Sequence, residues 1–213
     1  MYTVITSANP LDKYLKSEGK MKIHTVGYKH DHSIPQRVYA IYGDQAYRKK
    51  QWVQIGYNQT HTTVHDLVLI RLKKPIYASK NSRGPRYANL PFRNSIFNAP
   101  LQATGWAVAG FGYVDKEHVK NNSRLEVTTL SGNLVDCDEW MPREWGHFIC
   151  VTDDDDLRRI PSGGPLILDK KPPIIYGIAS FSLKKGNETI LVFTNLKKYR
   201  NGLTGYTPNS TKL

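Results

Sequence analysis

Nine short runs of β-forming residues succeed one another along the chain, and they restrict it to an all-β architecture. They are TVITSA, KIHTVGY, RVYAIYG, DLVLIRL, WAVAGFGYV, RLEVTTL, PLIL, IIYGIASFSL and TILVFTNL. Each is rich in Val, Ile, Tyr or Thr, and the runs are separated by Gly, Pro, Asn or paired Lys, the pattern of strands ending in turns. Helical periodicity is poor except in NLKKYRNGL near the C-terminus. There is no internal repeat and no low-complexity tract. Short strands at this spacing build barrels or sandwiches. The segment KNSRGPRYANLPFRN, residues 80 to 94, lacks periodicity and reads as a crossing between two halves, 1–95 and 96–213.

A chain of 213 residues with 39% hydrophobic content, 4 Trp, 13 Tyr and 6 Phe has the material for a core. No apolar run is long enough for a membrane-spanning helix. The start, MYTVITSAN, lacks the basic and apolar regions of a secretion leader. The net charge of +12 is carried mostly in clusters: Arg48-Lys49-Lys50, Lys73-Lys74, Arg158-Arg159, Lys170-Lys171, Lys184-Lys185 and Lys197-Lys198. Such doublets are either solvated turn residues or part of a polyanion site. No nucleic-acid motif accompanies them, so nucleic acid is not an expected partner.

Two cysteines, Cys137 and Cys150, exclude a disulfide-dense scaffold and a four-cysteine zinc site, and neither a metal nor a cofactor is expected. Acceptor sequons of the form N-x-[ST] begin at Asn58, Asn121, Asn187 and Asn209, all on polar turn-like segments, which points to a secreted glycoprotein.

The sequence RRIPSGGPLIL, Arg158 to Leu168, brings a specific family into view. Its centre resembles the nucleophile turn of the chymotrypsin/trypsin-like serine proteases, which puts Ser162 in the nucleophile's place. Further segments match that family in its own order. VITSANP matches the strand and turn of the catalytic histidine. HDLVLIRLKKPI matches the segment of the triad aspartate, Asp66. AVAGFGYV matches the strand opening the second barrel, with Phe111 replacing the usual Trp. YGIASFS matches the strand lining the specificity pocket, which includes Ser180 and Ser182. FTNLKKYRNGL matches the last strand and C-terminal helix. The resemblance implies two packed six-stranded antiparallel barrels with a cleft between them and a short C-terminal helix. Only eight residues precede Asn9, so the expected N-terminal barrel lacks its first strands, and the expected chain is N-terminally truncated.

The same positions depart from the chemistry the family performs. Its mechanism needs a serine, an imidazole to take the serine proton and a carboxylate to orient the imidazole. Asn9 stands at the imidazole position, and an amide has no basic nitrogen near neutral pH. His65 precedes Asp66 on what should be a strand, so their side chains face opposite ways and His65 is not expected to substitute. Ile160 replaces the glycine that supplies an oxyanion donor, and Pro161 replaces the aspartate that pairs with the processed amino terminus. Proline fixes its own φ and drives Ile160 towards extended angles. Losing one oxyanion donor alone costs roughly a hundred- to a thousandfold in rate.

The pocket is altered too. Asp156 sits where trypsin-like members bind Arg or Lys, but belongs to the run Asp153 to Asp156, which also reads as a solvated loop. Ser182 replaces an entry glycine, and Arg158 replaces a bracing cysteine. The resemblance pairs Cys137 with Cys150 as a disulfide. The expectation is a secreted serine protease homologue without proteolytic activity. It would bind an extracellular protein, or a sulfated polysaccharide through Arg158, Arg159, Lys170, Lys171, Lys184 and Lys185. The alternatives are a residual hydrolase using Ser162 and Asp66 with an unusual base, and a decayed duplicate without function.

Overall fold

The computed structural model describes residues 3–8, 23–24, 32–33, 35–42, 45–48, 65–72, 88–91, 106–111, 125–130, 132–154, 162–168 and 173–204. The first sheet is built from β1 (Thr3–Thr6), β4 (Pro35–Tyr42), β5 (Gln45–Arg48) and β6 (Val68–Leu72), in the spatial order β1-β6-β4-β5. Two further strands, β2 (Ile23–His24) and β3 (His32–Ser33), pair only with each other among the described residues.

The second sheet contains β7 (Trp106–Phe111), β8 (Leu125–Thr129), β9 (Leu134–Val135), β10 (Phe148–Thr152), β11 (Pro165–Leu168), β12 (Ile174–Lys185) and β13 (Glu188–Asn195). Its order is β8-β7-β11-β12-β13-β10-β9. All the strand ladders are antiparallel. Among the described residues neither sheet closes into a barrel. A short helix, α1 (Arg200–Thr204), follows β13 where the sequence shows helical spacing.

The longest ladder is the β12–β13 hairpin, in which Lys185 lies opposite Glu188 across Gly186 and Asn187. Gly186 has φ +62° at the first central position of this two-residue turn, a conformation that glycine adopts without a Cβ penalty. Adjacent residues of β13 point to opposite faces. Leu191 and Phe193 enter a cluster with Leu130, Ile149, Val151, Leu166, Tyr176 and Ala179. Ile190 and Val192 join Met141 and the disulfide-bonded Cys150 on the other face.

A third cluster joins the two sheets. Leu67 and Leu69, from the segment of β6, pack with Ile178 of β12 and with Leu196, Tyr199 and Leu203 around α1. All six are essentially inaccessible to solvent, so the burial free energy here resists separation of the sheets. The candidate site sits at the edge of this joint.

Candidate functional site

Asp66 is fully buried in the segment that leads into β6. One carboxylate oxygen accepts the Ala8 backbone N–H at 2.5 Å, and the other accepts the Ser180 hydroxyl. Its own carbonyl accepts the Thr194 hydroxyl at 2.9 Å. Three segments therefore meet on one residue: the end of β1, β12 and β13. A buried carboxylate needs such donors, because leaving it unsatisfied carries a large desolvation cost.

Ser180 reaches Asp66 because of an irregularity in β12. The register shifts so that Ala179 faces Phe193 and Phe181 faces Val192, which leaves Ser180 as the extra residue between them. A bulge of this kind re-aims a side chain that strict alternation would send elsewhere. Ser180, expected at the specificity pocket, thus turns its hydroxyl onto Asp66. Its carbonyl accepts the Ser162 hydroxyl at 2.8 Å.

The turn that carries Ser162 is fastened to the same strand. Gly163 N–H donates to the Ala179 carbonyl and Ala179 N–H donates to the Gly164 carbonyl, both at 2.7 Å. Gly163 has φ +89°, and a Cβ there would stand 2.4 Å from Thr6 Oγ1. Glycine is required at this position both for its backbone angle and for close approach to β1. Beside it, Ser7 Oγ is buried with no hydrogen-bond partner among the described residues.

The structure thus brings Asp66, Ser180 and Ser162 into one hydrogen-bonded chain, with Ala8 at its far end. Asn9, Ile160, Pro161, Asp156, Arg158, Arg159, Lys170, Lys171, Asn58, Asn121 and Asn209 lie outside the described residues. Asn9 is nonetheless the next residue after Ala8, whose amide is fixed on Asp66. Ser182 is partly exposed and lies directly opposite Leu191, which is fully buried in the second-sheet core.

His65 requires a correction. The sequence reading placed it on a strand beside Asp66, but β6 begins only at Val68 and His65 lies in a turn with φ +47°. This left-handed backbone lets its N–H reach the Trp145 carbonyl at 2.7 Å. Its Nδ1 lies 2.7 Å from the Tyr199 hydroxyl, which also accepts the His147 N–H at 3.0 Å. Burial, with the nearby His147 second, lowers the His65 pKa from 6.5 to about 4. The ring is thus engaged with the Tyr199 hydroxyl and packs edge-on against the Tyr199 ring.

Cys137 and Cys150 form the disulfide the sequence led us to expect. Lys184, Lys185 and Asn187 are exposed at the tip of the β12–β13 hairpin, with Lys185 Nζ 6.0 Å from the Trp140 ring. Among the described residues there is no group of His, Cys, Asp and Glu arranged to hold a metal ion. No helix among them is long and apolar enough to cross a membrane.

The Trypsin family matches the chain over residues 15–203, and the chain belongs to that family. The match begins after β1, Ala8 and Asn9. The β1–β6 ladder and the bond from Ala8 to Asp66 attach that preceding segment to the matched region. No curated protein matches the chain significantly.

Proposed function

We propose that this chain is a secreted serine protease homologue without proteolytic activity, one that acts by binding an extracellular protein or a polyanion as a cofactor, decoy or inhibitor of a protease cascade. The observation that carries this reading is the destination of the Ser162 proton. The hydroxyl donates to the Ser180 carbonyl, a backbone oxygen far too weakly basic to accept a proton in a reaction. The Asp66 carboxylate is engaged by Ala8 and Ser180, and the residue joined to Ala8 is the amide Asn9. A serine without a base is a poor nucleophile.

Sequence features support the same reading independently. Ile160 and Pro161 replace the residues of the oxyanion loop, so supplying a base alone would not rebuild the site. The disulfide and the sequons Asn58, Asn121, Asn187 and Asn209 fit an oxidising, secretory route. The exposed Lys184 and Lys185 are the candidate polyanion contacts within the described residues.

The test is a fluorophosphonate probe, which labels a serine only when it is activated. We expect no labelling of Ser162 under conditions that fully label an active trypsin-like protease. Stoichiometric labelling at Ser162 would overturn the proposal in favour of a hydrolase that uses Ser162 and Asp66 with a non-standard base.

A further inference from the structure

The β12–β13 hairpin projects past its neighbours. The β11 ladder with β12 ends at Ile178, and the β10 ladder with β13 ends at Ile190. Beyond both points the pairs Lys184–Thr189 and Lys185–Glu188 carry the hairpin to its tip, with the Asp153 N–H donating to the Thr189 carbonyl at 2.9 Å. All five residues from Lys184 to Glu188 are exposed. Among the described residues, a Cβ placed on Gly186 would meet no atom within 4 Å, so the turn is open on that side.

Asn187 occupies this turn, and Asn187-Glu188-Thr189 is an acceptor sequon. We infer that Asn187 is a site of N-linked glycosylation, carrying an oligosaccharide at the tip of the β12–β13 hairpin. The inference rests on the secretory address argued above and adds a covalent occupant to a definite place on the fold. A sequon alone is a weak signal, because short polar patterns recur by chance. Two structural observations strengthen this one. The Cys137–Cys150 disulfide fits an oxidising compartment, the kind in which the glycosyl transfer also takes place. Among the described residues, the exposed turn leaves room for a bulky hydrophilic group.

The chemistry balances with a lipid-linked pyrophosphoryl oligosaccharide as donor. The Asn187 Nδ2 forms a bond to C1 of the first sugar while the bond from C1 to the pyrophosphate oxygen breaks. The lipid pyrophosphate leaves with the electron pair, and the amide nitrogen gives up one proton to the transferase. Thr189 supplies the hydroxyl that the acceptor motif requires. It lies two residues on, partly exposed and opposite Lys184.

The experiment expresses the full chain behind a cleavable secretion leader in eukaryotic cells and maps peptides from all lumenal and secreted material. Treatment with peptide-N-glycosidase in heavy-oxygen water should convert Asn187 to labelled Asp. Asn187→Gln and Thr189→Ala should abolish that conversion, while Thr189→Ser should retain it. Material with the Cys137–Cys150 bridge formed and Asn187 unmodified would overturn the inference. The leader delivers the chain to the lumen whatever its natural route. Failure of the secretory reading would show differently, as native protein held in the cytosol with both thiols reduced.

Discussion

Replacing His65 by Gln probes the joint between the two sheets through its dependence on pH. His65 is held against the Tyr199 hydroxyl, with His147 packed on the same Tyr199 ring, while the neighbouring Asp66 carboxylate accepts from Ala8 and Ser180. Burial and His147 lower its pKa from 6.5 to about 4. The folded protein therefore favours the neutral ring, and the unfolded chain takes up a proton first as pH falls. The stabilisation is complete above the unfolded pKa of 6.5, drains away as pH falls towards about 4, and changes no further below that.

The full separation between those values corresponds to about 3 kcal/mol, at about 1.4 kcal/mol per pH unit. The ring is only half-buried, so solvent screening brings the expected loss to about 1–2 kcal/mol. Glutamine can keep an acceptor for the tyrosine hydroxyl but does not titrate in this range. Urea unfolding at about pH 7.5 and about pH 4.5 should show the wild-type protein losing about 1–2 kcal/mol more than the variant, with unchanged m-values. Subtracting the variant cancels the carboxylates common to both proteins. Equal losses in the two proteins would refute the assignment of a neutral, Tyr199-bound His65.

Three further outcomes can be measured on the same protein. Ser180→Ala removes a hydrogen bond to a fully buried carboxylate and should lower unfolding stability by about 1.5–3 kcal/mol, read as a shift in urea midpoint. Reducing the Cys137–Cys150 bridge, whose cysteines are 13 residues apart, should lower stability by about 3 kcal/mol through the entropy of the opened loop, measured by unfolding with and without reductant. Asn9→His alone should give no hydrolysis of trypsin or chymotrypsin peptide substrates, because Ile160 and Pro161 remain in the oxyanion loop. Turnover by that single variant would contradict two independent losses.

Much of the fold was legible because the strand signals are local. TVITSA, PLIL and TILVFTNL each carry the composition of the strand they form, and the helix emerged from the spacing in NLKKYRNGL. The strand Gln45–Arg48 was missed because its residues, QAYR, are mostly polar and gain their structure from pairing with Tyr39–Tyr42. Leu134–Val135 was missed because two residues carry no periodicity, and this strand exists only as the partner of Cys150 and Val151. Asp66 and Ser162 could be placed from their motifs. The bond between Ser180 and Asp66 could not, since it depends on a register shift that strict alternation along YGIASFS conceals. His65 was misplaced for a related reason: strand-like residues follow it, but its contact with Trp145, distant in sequence, fixes a left-handed turn.

The joining of Asp66, Ser180 and Ser162 has a sufficient structural cause. Asp66 ties the end of β1 to β12 and β13, and the Ser162 turn is sewn to β12 through Gly163, Gly164 and Ala179. Leu67 and Leu69, immediately beyond Asp66, fill the core that joins the sheets. Removing these bonds would expose a buried carboxylate to an unsatisfied environment whether or not any reaction took place there. The same geometry is therefore expected of an enzyme and of a binding protein built on this fold. What separates the two is a base able to take the Ser162 proton, and the hydrogen bond seen from the Ser162 hydroxyl goes to the carbonyl oxygen of Ser180.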